Sequence, residues 1–279
     1  MEREILTGEK IQQMADIYIG NKEDFSFNPF IYQQEEKHCP LDSINETFSN
    51  PPIVFCYSHC IYSLTEKIHL FKNDFVLLTH NSDENINDCL EVNHLLSYPQ
   101  LKKWFSQNVC FSHPKLHYLP IGLANSQWPH GDLSFFKDKN LDDPFIKSEK
   151  VYFHFNISTN HSKRTECYDI LKDKIPFLSQ VTPSENLERL QKYEFCICPE
   201  GNGIDTHRFW ECFYLKVIPI VVDSPFVQIL KKERVPIPLV ILDKWEDFDE
   251  SNLQYTDFSF DHLEIYLSDF EKKIRNTIK

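Results

Sequence analysis

The stretch "FCICPEGNGIDTHRFWECFYLKVIPIVV", Phe195–Val222, decides the fold. An apolar run ends in Pro-Glu-Gly-Asn-Gly, polar residues from Asp205 to Glu211 follow, and a second, more hydrophobic run begins after Lys216. Two short apolar runs separated by a helix-length segment read as buried strands joined by a crossover helix. In such a unit, the polar residues between strand end and helix start lie on the edge where α/β sheets bind ligands.

The same alternation continues on both sides. Downstream, "SPFVQILKKE" reads as helix, "PLVIL" as strand, and "HLEIYLSDFEKKIRNTI" as a closing helix with apolar residues three to four apart. Upstream, "KVYFHFNISTNHSKRTECYDIL" reads as a strand over 151–155, a polar loop, and a helix from about Ser162 to Leu171. "IPFLSQ" is expected to form a short strand. "TPSENLERLQKY" carries helix-start signals: Thr182 or Ser184 as cap and Pro183 in the first turn.

The charged segment "FFKDKNLDDPFIKSEK" (135–150), with Pro144, reads as a linker. Before it the pattern is less clear. "PPIVFCYSHCI", "NDFVLLTHNSDENIN" and "KLHYLPIGLANSQWPHGD" each read as a strand running into a polar loop. "SYPQLKKWFSQNVCF" looks helical at first, with Leu101, Trp104 and Phe105 on one side, and then extended. The expected fold is α/β, with two Rossmann-like lobes facing across a cleft. Residues 1–142 form the first lobe, 143–149 the linker and 150–279 the second, whose last helix packs back on the first.

Composition narrows the function. With 41% hydrophobic residues, 23 Phe and 12 Tyr, the 279-residue chain has material for a large core. A net charge of −13 and no dense basic tract argue against nucleic acid as a partner. The charged start "MEREILTGEK" has no apolar signal region, and no run is long enough for a membrane span. A reduced, cytoplasmic chain is expected. Neither a G-x-G-x-x-G nor a P-loop pattern is present, against dinucleotide oxidoreductases and P-loop NTPases. Cys196 and Cys198 face one way from a strand, but with no second pair near by a zinc site is not expected. Cys56 and Cys60 flank His59 without an evident partner, and packing is the reading preferred for them.

Three loops converge on the second lobe's rim: 156–164, 199–208 and 221–226. Arg164 and Arg208 offer planar forks for phosphate or carboxylate oxygens. Glu211 shares a helix face with Arg208; it either accepts hydrogen bonds from sugar-like hydroxyls or forms a local ion pair with Arg208. Gly201 and Gly203 would allow close backbone approach or positive φ. Asn156, Asp205, Thr206 and His207 complete this candidate ligand-binding set. On the first lobe, Asp83 is the preferred general base, with His80, His130 and Asp132 behind it; capping or turn roles are the alternative. Asn81, Asn125 and Trp128 are the candidates for binding an acceptor. The acidic run "WEDFDE" (245–250) holds an Asp-x-Asp spacing and is read as a solvated loop.

The segment "CPEGNGIDTHRFWECFYLKVIPIVV" resembles the signature of exostosin-like glycosyltransferases: strand, Pro/Gly turn, an Arg-x-x-Glu helix, then a second strand. "YLPIGLANSQW" and "LLTHNSD" are similar to segments of small members of that family, including those coded by large DNA viruses of algae. The resemblance is strongest over roughly 150–245. It implies a GT-B type architecture, a UDP-sugar donor with xylose as the best single sugar, a glycan or glycoprotein acceptor, and inversion at the anomeric carbon. It also implies that Arg208 and Arg164 hold the donor diphosphate and Glu211 the nucleotide's sugar hydroxyls. No permanently bound cofactor and no essential metal are expected, and the site would lie in the cytoplasm, that of a host if the chain is viral. Two alternatives stay open: a non-catalytic nucleotide- or glycan-binding module, and another α/β enzyme acting on a sugar phosphate.

Overall fold

The computed structural model describes residues 4–43, 52–137, 139, 141, 143–233, 235, 237–259 and 263–278. They form two compact units, Met1–Gly131 with Ile265–Lys279, and Asp132–Glu264. Each is an α/β unit built on one parallel sheet flanked by helices, consistent with a Rossmann-like architecture.

The first unit carries β1 (Ile17–Gly20), β2 (His38–Pro40), β3 (Ile53–Tyr57), β4 (Phe75–His80), β5 (Leu101–Ser106) and β6 (Leu116–Tyr118), in the spatial order β2-β1-β3-β4-β5-β6. Every neighbouring pair is parallel. β3 and β4 are buried along their whole length, as expected for strands covered on both faces. The chain adds β2 on one side of β1 and then returns to place β3 on the other, which makes β1 and β3 the switch point of the sheet. The last helix, Leu267–Ile278, packs on β4 and β5 of this same sheet and buries Phe270 and Ile274.

β5 corrects the helical expectation for the start of 97–111. Its register shifts where Phe75 pairs with Leu101 and Val76 with Lys103, so Lys102 is an extra residue. The bulge puts Leu101 and Trp104 on one face although they are three residues apart. That spacing imitates a helix.

The second unit carries β7 (Glu149–Tyr152), β8 (Tyr193–Ile197), β9 (Ile218–Val222) and β10 (Val240–Leu242), all parallel, in the order β10-β9-β8-β7. Helices His161–Leu171 and Pro183–Leu190 connect β7 to β8, His207–Tyr214 connects β8 to β9, and Pro225–Lys232 connects β9 to β10. Phe153, Phe195, Ile197, Ile218 and Ile220 share one core cluster with Leu171 and Trp245. Cys196 and Cys198 alternate with Phe195 and Ile197 and point to the opposite face. Of the two candidate caps, Thr182 is the one that opens the Pro183–Leu190 helix, in a capping box with Glu185.

"IPFLSQ" forms no strand. Phe177 inserts between the rings of Phe153, Tyr168 and Phe155, at 4.9, 5.0 and 5.4 Å, and Leu178 N donates to Phe153 O at 2.9 Å. Packing uses the apolar run that pattern alone assigns to a sheet. In "WEDFDE" the acidic side chains are exposed as expected, and Asp249 accepts from Ser251 in a 3-10 turn, but Trp245 and Phe248 belong to the core. Among the described residues, no helix is long and apolar enough to cross a membrane.

Candidate functional site

The C-terminal ends of β8, β9 and β10 open onto a cavity of about 200 Å³. Cys198, Val222 and Asp243, each just at or beyond its strand end, line it together with Lys163, Thr206 and Ser224. The wall between strands and helices is apolar, with Phe209 and Phe226 edge to face at 5.4 Å. This volume falls below the ~300 Å³ at which pockets for whole drug-sized ligands begin. It fits one ring of a ligand, with the remainder on the open rim.

Two helices start at this cavity and differ in one respect. Ser224 caps Pro225–Lys232, accepting from Val227 N at 3.3 Å. Thr206 stands at the N-cap of His207–Tyr214, but its hydroxyl makes no capping hydrogen bond and it lines the cavity. A helix start without a side-chain cap keeps N–H donors and positive dipole for a ligand.

Beside that start lie two guanidinium groups. Arg208 Nε donates to Glu211 Oε2 at 2.9 Å, and the two side chains are 20% and 12% exposed. The local ion pair is therefore formed. Arg208 Nη1 is nevertheless buried without a hydrogen-bond partner, and the guanidinium lies 5.3 Å from the Tyr152 ring. Burial is the largest influence on Arg208 and opposes its charge, but Glu211 together with Cys196, Tyr152 and Cys212 more than offsets it, so the group stays protonated.

Arg164, also buried, has no carboxylate partner among the described residues. Its Nε donates to Glu200 O at 2.9 Å and its Nη1 to Asn156 O at 2.8 Å. Burial, and then the charge of Arg208, push it down to about 10. That mutual repulsion marks two neighbouring cations of which Arg208 is the one paired to Glu211, while the cavity beside them is lined by Glu166, Glu200, Asp223 and Asp243 as well as Lys163 and Lys244.

The other residues of this candidate set support the rim. Asn156 lends its carbonyl to Arg164 and accepts from Ser158 with its side chain. Neither Gly201 nor Gly203 has positive φ. Gly201 is small for a different reason: a Cβ there would stand 3.3 Å from both Arg164 Nη2 and Thr206 Cγ2. Asp205, 2% exposed, accepts from Trp210 Nε1 at 2.7 Å and so anchors the helix to its own loop. His207 is the first residue of that helix and is half-buried. The rim residues that pattern reading missed are Lys163, Asp223 and Lys244, each adjacent to a residue or loop that it singled out.

On the first unit, His80 ends β4 and is buried. Its Nε2 lies 2.9 Å from Pro120 O and its Nδ1 3.1 Å from Asn81 Oδ1. Asn81 takes φ +58°, and its Nδ2 donates to Gln12 Oε1 at 2.9 Å. Asn125 Nδ2 donates to Asn81 Oδ1, and Asn125 Oδ1 accepts from Glu9 N, both at 2.9 Å. These three polar side chains are held inside one network. Asp83 is exposed on the loop after β4. Trp128 is 43% exposed and forms an aromatic patch with Phe27 at 5.2 Å and His130 at 6.3 Å. Asp132 begins the second unit, where Oδ1 accepts from Ser134 N at 2.9 Å and the bond holds the carboxyl below its usual range.

The expectation of no essential metal is corrected by two groups of converging ligands. In the second unit, Cys196, Cys198 and Cys212 bring their sulfurs within 4.8 Å of one another. The third thiol arrives on the crossover helix, not as a second pair in sequence. Its position three residues from Phe209 and one from Phe213 sets it on the buried face, and that phase was the signal for it. Burial pushes the Cys198 and Cys212 thiols up. Hydrogen bonds from these two thiols, with the charge of Arg208, overcome burial at Cys196 and bring it down.

In the first unit, Asp24, His59 and Cys60 meet in the same way. Asp24 is the partner that the Cys-x-x-His-Cys stretch lacks in sequence, because it follows a different strand. Compared with models of protein families and with curated proteins, the chain matches none. The fold and its buried basic and acidic pairs are consistent with a nucleotide- or sugar-binding enzyme in general.

Proposed function

We propose that the chain is an inverting glycosyltransferase of GT-B type that moves a sugar from a UDP-sugar donor to a glycan hydroxyl. One observation carries the reading. Arg164 and Arg208, both largely buried and neighbours of one another, stand beside a helix start whose N-cap hydroxyl makes no capping bond. Two such guanidiniums suit a diphosphate, and the one-ring cavity next to them suits part of a nucleoside or sugar. The uridine, and xylose as the sugar, come from the resemblance to exostosin-like transferases.

In this reading the acceptor oxygen loses its proton to a base and attacks the anomeric carbon as the bond to the diphosphate breaks. The negative charge that develops on the leaving oxygen falls on the two guanidiniums and the helix N–H groups. Asp83 is the proposed base, because His80 is enclosed by its partners whereas Asp83 is exposed. The exposed rings of Trp128 and Phe27 are the proposed stacking surface for a glycan acceptor.

Calorimetry with UDP, GDP, CMP and inorganic phosphate tests the donor site. UDP is expected to bind best. Arg208→Ala should lose about 2–3 kcal/mol of UDP affinity, the value of charge-assisted hydrogen bonds. If no nucleotide binds better than phosphate, the transferase reading fails. Asp83→Asn should keep UDP affinity and abolish transfer from UDP-xylose; full transfer would move the base elsewhere.

A further inference from the structure

The strongest chemistry outside the second unit's rim stands at the switch point of the first sheet. β1 and β3 are neighbours, but the connections that leave them run to opposite sides, and α/β sheets bind ligands in the crevice this creates. Asp24 lies in helix Lys22–Ser26, which follows β1. His59 and Cys60 lie in the 3-10 turn Ser58–Cys60, which follows β3. A carboxylate, an imidazole and a thiol thus reach one place from two elements that are adjacent only because of the parallel pairing.

The geometry of the three is close. Their ligating atoms lie within 4.8 Å of one another, and Asp24 Oδ2 is 2.9 Å from His59 Nε2. The surroundings hold them in place. Asn21 occupies the N-cap of helix Lys22–Ser26 but caps nothing with its side chain; its Nδ2 turns to Cys60 Sγ at 3.9 Å instead. The Tyr57 hydroxyl donates to Asp24 O at 3.4 Å, and its ring lies 5.8 Å from that of His59. Tyr57 is itself fixed against β1, since a Cβ on Gly20 would come within 2.5 Å of its ring. Outer contacts of this kind orient the first ligands of a metal and are expected at a built site.

We propose that Asp24, His59 and Cys60 bind a zinc-class divalent cation at the switch point of the first unit. The donor set selects the ion: a thiolate excludes magnesium and calcium, and the mixture of sulfur, nitrogen and oxygen donors suits zinc. Oxygen and nitrogen ligands on a tetrahedral zinc stand roughly 3.3 Å apart, given metal–ligand bonds of about 2.0–2.1 Å. The present 2.9 Å contact opens by less than half an ångström to admit the ion. Binding displaces the proton of Cys60, so the ion meets a thiolate. Three protein ligands leave one position open. The His59 and Asp24 side chains are 36% and 23% exposed while Cys60 is buried, so the open position is on the solvent side, where a water or a ligand oxygen completes the shell. That is the ligand count of a zinc site that handles a ligand, not of a purely structural one.

The Cys196, Cys198 and Cys212 group is sealed by comparison, with Cys196 and Cys212 fully buried, and it serves as the internal control. The test uses the full chain, stripped of metal with a chelator and titrated with Co²⁺ and then Zn²⁺, followed by cobalt absorption and calorimetry. The expected result is one tetrahedral Co²⁺ with a single-thiolate charge-transfer band, displaced by Zn²⁺. Cys60→Ser should abolish the band, Asp24→Asn and His59→Gln should weaken binding at least tenfold, and Cys212→Ser should leave it unchanged. Circular dichroism checks the fold of each variant, and should Cys60→Ser not fold, Asp24→Asn and His59→Gln decide. A band that survives in the first-unit variants and vanishes in Cys212→Ser would overturn the assignment, as would a wild-type chain that binds neither ion. In the latter case rapid alkylation of Cys60 that depends on His59 would assign the three side chains to a metal-free thiol relay.

Discussion

The polar rims of the two sheets are organised on opposite principles. At the first sheet, His80, Asn81, Gln12 and Asn125 engage one another, and the buried carboxylate of Glu9 accepts from Asn28 Nδ2, Ser126 N and Ser126 Oγ at 2.9, 3.1 and 2.8 Å. Around β4, hydrogen-bonding capacity is spent inside the protein, whereas beyond β3 Ser58 Oγ is buried without a partner, next to His59 and Cys60. At the second sheet, Arg164 is held by backbone carbonyls close to the Arg208–Glu211 pair, Arg208 Nη1 has no partner, and a helix begins without a side-chain cap. Buried polar groups that satisfy each other build a rigid loop platform; those left incomplete are completed by a ligand. A polar cluster in sequence does not distinguish the two cases. Only the count of partners does.

The comparison breaks most sharply at Glu9. If the first rim is structural, Glu9→Ala should cost about 2–3 kcal/mol of stability, because the buried amide of Asn28 loses its charged acceptor, while the exposed Ser126 turns to water. Urea unfolding measures this, and a loss near zero would mean that water replaces the carboxylate and that the network is not structural. The corresponding change at the second rim, Arg208→Ala, also costs stability, because it leaves the Glu211 carboxylate without its ion-pair partner, but unlike Glu9→Ala it should weaken UDP binding as well.

Acid acts on a histidine depressed by burial in each unit, His117 in the first and His154 in the second. Burial, and then the charges of Lys103 and Lys273, push His117 in β6 down to about 4. Between pH 4 and 6.5 the folded chain therefore binds fewer protons at this site than the unfolded chain does, so stability rises with pH across that window. The contribution is complete above pH 6.5 and is lost as pH falls towards 4. It amounts to at most about 3.4 kcal/mol, at 1.36 kcal/mol for each pH unit of displacement, less what solvent screening of the partly exposed ring removes. Hydrogen exchange resolved to peptides of β5 and β6 should show the decline, and His117→Gln should flatten it. An unchanged pH profile in the variant would assign the acid sensitivity to other groups.

Which parts of this were legible in sequence follows from how the signals arise. β8, β9 and β10, and the helices between them, are clean apolar runs bounded by turn residues and caps, and pattern reading finds them with their loops. β1 and β2 span four and three residues and, unlike the equally short β10 inside the apolar run "PLVIL", are flanked by polar residues that give no apolar run for a pattern to find. β5 carries a bulge that shifts its apolar spacing to that of a helix. The same causes limit the sites. Arg164 and Arg208 lie on loops whose strands are visible, so their convergence can be inferred. Asp24 follows β1, and without β1 nothing in the sequence brings it to His59 and Cys60. Cys212 is hidden for a milder reason: its meeting with Cys196 and Cys198 depends on the phase of a helix against a strand.

The smallest test lies within the second unit, between two threonines at helix starts. Thr182 accepts from Glu185 N at 3.4 Å and donates to Glu185 Oε2 at 2.9 Å, a closed capping box on an exposed helix. Thr206 holds the same position on helix His207–Tyr214 and leaves its hydroxyl uncommitted beside the cavity. Alanine at 182 removes a cap that the helix uses, and should cost about 1 kcal/mol in thermal or urea unfolding with no change in UDP affinity. Alanine at 206 removes no cap, so its cost in stability should be well below that of the Thr182 variant, while the loss should appear in binding of UDP. The two substitutions are chemically identical and differ only in whether the native fold has already used the oxygen. If both variants lose stability equally and neither changes UDP binding, then Thr206 is an ordinary cap and the open helix start is not a ligand site.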